Sequence, residues 1–159
     1  MIRTSTSVLV VGGGLVGLSQ ALFLAWRGVP TVLVEKHQSS SLHPRAVGFT
    51  PRTLELLRAV GLSDEVPQVP PDFGGLRRAR VESLAGKWFE ETAWTPNAQT
   101  ATIEYSPCRG ASIAQDRLEP ILRAKAIELG ADIRLGTKLT TFQQTAQGVI
   151  ATLHDQDGI

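Results

Sequence analysis

The stretch Val8–Lys36, VLVVGGGLVGLSQALFLAWRGVPTVLVEK, constrains the fold more than any other part of the chain. Val8–Val11 is apolar, mostly β-branched and too short for a helix, so it reads as a buried strand. Beyond the glycines, Leu15, Leu18, Leu22 and Ala25–Trp26 recur at the three-to-four spacing of a helix face, and Gly28 supplies the stop. Thr31–Val34 is a second buried run, closed by Glu35. Strand, helix and strand within about thirty residues predict a parallel, right-handed βαβ unit.

Gly12, Gly14 and Gly17 occupy the three places of G-x-G-x-x-G, with a strand before them and a helix after. Gly12 permits a tight turn, and Gly14 lets backbone approach a pyrophosphate at the helix N-terminus. Gly17, with the small Ala21 one turn on, lets the helix pack closely on the strands. Glu35 lies at the distance of about 20 residues at which such folds place a ribose-binding acid. An acid there disfavours a 2′-phosphate, and with it NADP in this loop. The motif also fits a tight βα turn in some other α/β fold, and it does not separate NAD from FAD, which share the ADP half.

Further along, FTPRTLELLRAVGL reads as a helix capped by Thr50, with Pro51 at its first position. Leu54, Leu57 and Ala59–Val60 form its buried face, and Gly61 ends it. Pro67, Pro70 and Pro71 mark a turn-rich connector. RRARVESLAGKWFEETAW predicts a hairpin turning near Ala85–Gly86, and TPNAQT a loop. QDRLEPILRAKAIELGA predicts a third helix with Leu118, Leu122, Ala126 and Leu129 on one side. Pro120 means either that this helix begins near Leu118 or that its first turn is distorted. ADIRLG, KLTTFQQ and GVIATLHD follow as short strands of a meander, with a turn at Asp155–Gly158.

Composition narrows the partners. With 42% hydrophobic and 19% charged residues the chain is ordinary for a globular domain. Lys plus Arg is 16 against 15 acids, a net charge of +1, which gives no footprint for nucleic acid or an anionic membrane. No run approaches the roughly 20 apolar residues of a membrane span, and Met1–Ser7 does not read as a signal peptide. The single Cys108 rules out an intramolecular disulfide, which suits a cytoplasmic location, and lacks a local activating pattern. His37, His43 and His154 lack metal-ligand spacing, so no metal site is expected.

HPRAVGFTPRTLELLRAVGL (residues 43–62), preceded by the glycine motif and followed by SIAQDRLEPIL (residues 112–122), resembles the N-terminal part of class A flavoprotein monooxygenases. Within them the chain is most similar to hydroxylases that tailor aromatic polyketides such as anthracyclines. The resemblance implies a Rossmann-like βαβ FAD-binding α/β fold with a β-meander over residues 1–159. Residues 77–110 would be an excursion toward a substrate-facing sheet. It implies FAD as bound cofactor, NAD(P)H as transient reductant, and an electron-rich aromatic substrate oxygenated by O₂ through a flavin C4a-hydroperoxide. Arg45 matches the family arginine near the FAD phosphate and ribityl region, and Gln115 the glutamine near the ribityl chain and pyrophosphate. Glu35 matches the ribose-binding acid, and Lys36 beside it joins the expected set.

Plainer readings stand beside these. Arg45 and Arg117 are also ordinary surface arginines, and Gln115 could form a Ser-x-x-Gln capping box with Ser112. Trp88, Trp94 and Tyr105 either line an aromatic pocket or belong to the core. The family's later Asp-Gly and Gly-Asp fingerprints do not occur, and no catalytic residue is assignable. The chain is therefore expected to be truncated before its substrate domain is complete, and to lack turnover without the remainder of its enzyme. A stand-alone dinucleotide-binding module and an NAD-dependent reductase are the alternatives.

Overall fold

The computed structural model describes residues 3–40, 47–70, 77–93 and 105–155. In chain order the elements are β1 (Val8–Val11), α1 (Leu15–Trp26), β2 (Thr31–Glu35), α2 (Pro51–Ala59), β3 (Arg77–Val81), β4 (Trp88–Ala93), α3 (Gln115–Glu128), β5 (Asp132–Leu135), β6 (Thr137–Thr145) and β7 (Gly148–Asp155).

The predicted βαβ unit forms. β1 and β2 run parallel with Val8 opposite Thr31 and Val11 opposite Val34, joined through α1. β5 lines up parallel on the other side of β2, from Val32–Asp132 to Glu35–Leu135, giving the order β1-β2-β5. The central strand explains its own composition: Val32, Leu33 and Val34 are all buried, the continuous apolar run of a strand covered on both faces. β1 differs from expectation. Only Val10 is buried, and Val11 is 55% exposed, because β1 is the edge of this sheet among the described residues.

Of the three late strands, β5 thus joins the parallel sheet, and the meander consists of β6 and β7 as an antiparallel hairpin. Thr137 Oγ1 donates to Asp155 Oδ1 at 2.6 Å where that hairpin begins and ends. β3 and β4 form the other predicted hairpin, turning over Ser83–Gly86 with Gly86 N donating to Ser83 O at 3.1 Å.

The core lies between α1 and α3. Leu18, Ala21, Leu22 and Ala25 of α1 share it with Leu118, Leu122 and Ala126 of α3, and Leu54 and Leu57 of α2 join them. Two predicted core positions fall outside: Trp26 and Ala59 are exposed beside their buried neighbours Ala25 and Val60. The Thr50 cap forms, its Oγ1 accepting from Thr53 N at 3.4 Å, with Pro51 at the first position. α3 starts at Gln115 rather than Leu118. Its first turn tightens, the N–H groups of both Arg117 and Leu118 reaching Ala114 O at 3.0 and 3.1 Å, so Pro120 is accommodated from the sixth position on an exposed face.

Candidate functional site

The glycine loop turns from β1 into α1 under three internal demands. Gly12 has φ +107°, a left-handed conformation that side chains rarely adopt, while its N–H donates to Val34 O at 2.8 Å. A Cβ at Gly13 would stand 2.8 Å from Glu35 Cβ. A Cβ at Gly17 would overlap the Gly12 carbonyl oxygen and lie 3.4 Å from Val10 Cγ1, so this glycine lets α1 press onto the loop.

Gly14 answers to none of these. Its backbone is extended (φ −80°, ψ −176°), open to any residue, and among the described residues the nearest atom to an added Cβ is Glu119 Oε1 at 3.9 Å. Gly14 is also the N-cap of α1, with no side-chain cap hydrogen bond, and the first helical bond runs from Leu18 N to Gly14 O at 2.9 Å. The helix therefore presents first-turn N–H groups, and the positive end of its dipole, to whatever stands in front of Gly14. In front of it is a cleft of about 580 Å³ whose lining includes Gly12, Gly14, Leu15, Val16, Gly17 and Gln115. Apolar walls, a bare backbone floor and an uncapped helix N-terminus fit the diphosphate of a dinucleotide.

Gln115 reaches this cleft from α3. The capping box with Ser112 does not form: Ala114 is the N-cap, which places Ser112 two residues outside the helix, and Gln115 takes the first helical position. Its Nε2 donates to Glu119 Oε1 at 2.7 Å, one turn further along α3. Glu119 is 2% exposed. Its residue type hides it in the sequence, because a glutamate within a helix reads as surface. The available signal was its four-residue spacing from Gln115.

Glu35 ends β2 and grips the loop. Its Oε2 accepts from Gly13 N at 2.6 Å and its Oε1 from His37 N at 2.8 Å. Partial burial pushes this carboxyl up. The N–H groups of Gly13 and His37 outweigh it, helped by the charges of His37 and Lys36, and hold the group below its ordinary value. Two carboxylate oxygens carry about four acceptor sites, so capacity remains for hydroxyl donors.

The other predicted residues disperse. Lys36 and His37 do not line the glycine cleft. With Lys138, His154 and Asp155 they border a separate one of about 440 Å³. Arg45, His43 and Trp94 lie outside the described residues, and Arg117 is exposed. Trp88 and Tyr105 belong to neither core nor cleft, being 66% and 86% exposed. Cys108 is buried in the core, and no metal-binding cluster occurs among the described residues. No helix among them is long and apolar enough to cross a membrane.

Comparison with known proteins agrees with this geometry. The family described as an FAD binding domain matches residues 5–158. The chain belongs to that family of FAD-binding domains. Among curated relatives of this domain, 4-methyl-5-nitrocatechol 5-monooxygenase of Burkholderia sp is 43% identical over 153 residues, covering 94% of this chain and 27% of that protein. Aklavinone 12-hydroxylase DnrF of Streptomyces peucetius is 43% identical over 157 residues, covering 96% of this chain and 32% of the relative. The domain also superposes on the crystal structure of aklavinone-11 hydroxylase in a ternary complex with FAD and aklavinone. There the TM-score is 0.78 at 39% identity, over 99% of this chain and 31% of the other. The FAD-binding domain described here therefore spans about a third or less of the length of these relatives.

Proposed function

We propose that the chain supplies the ADP-binding part of an FAD-dependent, NAD(P)H-using monooxygenase that hydroxylates an aromatic, polyketide-like substrate. The observation that carries this reading is Gly14, a glycine that no internal contact among the described residues requires, set at the uncapped N-terminus of α1 in front of the cleft. The named activities of the relatives supply the reaction class.

On this reading Gly12, Gly14 and Gly17 shape the phosphate floor, and the first-turn N–H groups of α1 neutralise the diphosphate. Glu35 keeps the loop in place through Gly13 while its remaining acceptor sites take ribose hydroxyls, with Lys36 contributing charge at that edge. Gln115 closes the cleft from α3, and Arg45 belongs to the same set by family resemblance. FAD, when bound, supplies the electron transfer from NAD(P)H and the activation of O₂. The chain's own share is binding and orientation, and the 159 residues alone insert no oxygen. The β3–β4 hairpin, with its exposed Trp88 and Phe89, is the described part of the excursion over residues 77–110 that the resemblance directs toward a substrate-facing sheet; residues 94–104 lie outside the described residues. A single buried, unpaired Cys108 supports a reducing, cytoplasmic setting.

A titration of the chain with FAD, competed by ADP, tests the reading. One-to-one FAD binding that ADP displaces is the expected result. Glu35→Ala should weaken FAD by about 1–3 kcal/mol, the scale of a charge-assisted hydrogen bond. Binding of NAD but not FAD would favour a reductase instead, and an unchanged FAD affinity in Glu35→Ala would remove Glu35 from the site.

A further inference from the structure

A carboxylate beside a phosphate-binding helix end is an unexpected group to bury. Glu119 is 2% exposed, and no Lys, Arg or His among the described residues forms an ion pair with it. Among the described residues its oxygens meet Gln115 Nε2 at 2.7 Å and the space in front of Gly14, where an added Cβ would come within 3.9 Å of Oε1. For the fold alone, an apolar residue between Leu118 and Leu122 would serve better, since burying a carboxylate with one neutral partner costs solvation that a leucine does not.

We infer that Glu119 is a positioning residue for Gln115, fixing which end of the Gln115 amide meets the ligand in the glycine cleft. Carboxylate oxygens accept, so the amide half turned toward Glu119 has to be the NH₂ group. The carbonyl oxygen then faces away from Glu119. There it is an acceptor, suited to a hydroxyl of a polyol or sugar and unsuited to a phosphate oxygen. Gln115 thus recognises the hydroxyl-bearing part of the ligand, and the α1 N-terminus recognises the diphosphate. This inference deepens the proposed FAD reading and rests on it.

The test is a double-mutant cycle on the 159-residue chain with Gln115→Ala, Glu119→Ala and the double variant, and Glu119→Gln as an isosteric control. FAD affinity and the ¹H–¹⁵N signals of the Gln115 side-chain amide in the unliganded chain are both measured. Glu119→Ala is expected to weaken FAD roughly five-fold, the scale of one oriented hydrogen bond. The same change should do nothing further in the Gln115→Ala background. It should also shift the Gln115 amide signals from their positions in the parent chain, and Glu119→Gln, whose carbonyl still accepts, should restore most of the affinity. Equal losses in both backgrounds, or amide signals indifferent to Glu119→Ala, would overturn the inference. If FAD binds none of these chains while the amide signals still respond, the clamp stands and the reading of the cleft as an FAD site is what fails.

Discussion

Replacing Gly17 by alanine sets two well-known effects against each other. Inside an ordinary helix, glycine to alanine stabilises by about 0.5–1 kcal/mol, because alanine loses less backbone freedom on folding. In α1 the new Cβ would overlap the carbonyl oxygen of Gly12, stand 3.1 Å from the Gly12 carbonyl carbon and 3.4 Å from Val10 Cγ1. Two of those atoms are backbone, so no rotamer change relieves the contact. The Gly12 peptide is tied to β2 through Val34 O at 2.8 Å, so the loop cannot retreat without losing that bond. Overpacking of this kind costs about 1–3 kcal/mol, and here the upper end applies. After the gain in helix propensity, Gly17→Ala should destabilise by about 2–2.5 kcal/mol, a fall in Tm of about 4–10 °C for a domain of this size. Thermal unfolding followed by circular dichroism measures it directly. A Tm equal to or above that of the parent would refute the close-packing role and reduce Gly17 to a coincidence of composition.

Two further expectations follow from the same loop. Gly14→Ala places its Cβ at ordinary contact distance from Glu119 Oε1 on an extended backbone, so its stability cost should stay near the ~0.5–1 kcal/mol of exchanging an N-cap glycine for alanine, while FAD affinity falls about 10–100-fold as the phosphate is pushed off the helix end. Calorimetric titration beside a melt separates the two, and retention of full FAD affinity would argue against a ligand at Gly14. Glu35 has a folded pKa below its ordinary 4.5, so its contribution is complete above pH 4.5 and disappears as pH falls through the depressed value. The gap in Tm between the parent and Glu35→Ala should therefore narrow from pH 7 to pH 3, and a gap independent of pH would mean that the Gly13 and His37 hydrogen bonds do not favour the charged form.

Much of the architecture is legible in the sequence because local signals and tertiary demands coincide there. The βαβ unit, the Thr50–Pro51 start of α2 and the turn near Gly86 each carry their own punctuation, and each forms as read. Pairing across long sequence distance is not written locally. ADIRLG has the pattern of a meander strand, and only the docking of α3 against α1 delivers it to the far side of β2 as β5. The same limit applies to exposure: the edge position of β1 leaves Val11 open, and Trp88 stands out on a hairpin, although their types suggest burial. In the site, the glycine spacing and Glu35 are legible as residue types, but the bond from Gly13 to Glu35 is not. Glu119 is hidden for the opposite reason, because a glutamate within a helix reads as surface until the packing of α1 on α3 encloses it.

The ambiguity of G-x-G-x-x-G between a tight turn and a nucleotide site has a structural resolution, since the two readings need different glycines. A turn that only has to redirect the chain accounts for Gly12 through its positive φ, for Gly13 through the Glu35 side chain packed against it, and for Gly17 through the Gly12 carbonyl. Among the described residues it finds no reason for Gly14, whose backbone any residue could adopt and whose Cβ would meet nothing there closer than 3.9 Å. A polar cap would even be slightly favourable there, since serine or aspartate at an N-cap stabilises a helix relative to glycine by a few tenths of a kcal/mol. Forgoing that cap makes sense where an external anion takes its place, and an aspartate would repel such an anion. The one glycine that packing does not require is thus the one at which a ligand would take over the capping of α1, and Glu35, by holding Gly13, keeps the adjoining loop set in advance for that exchange.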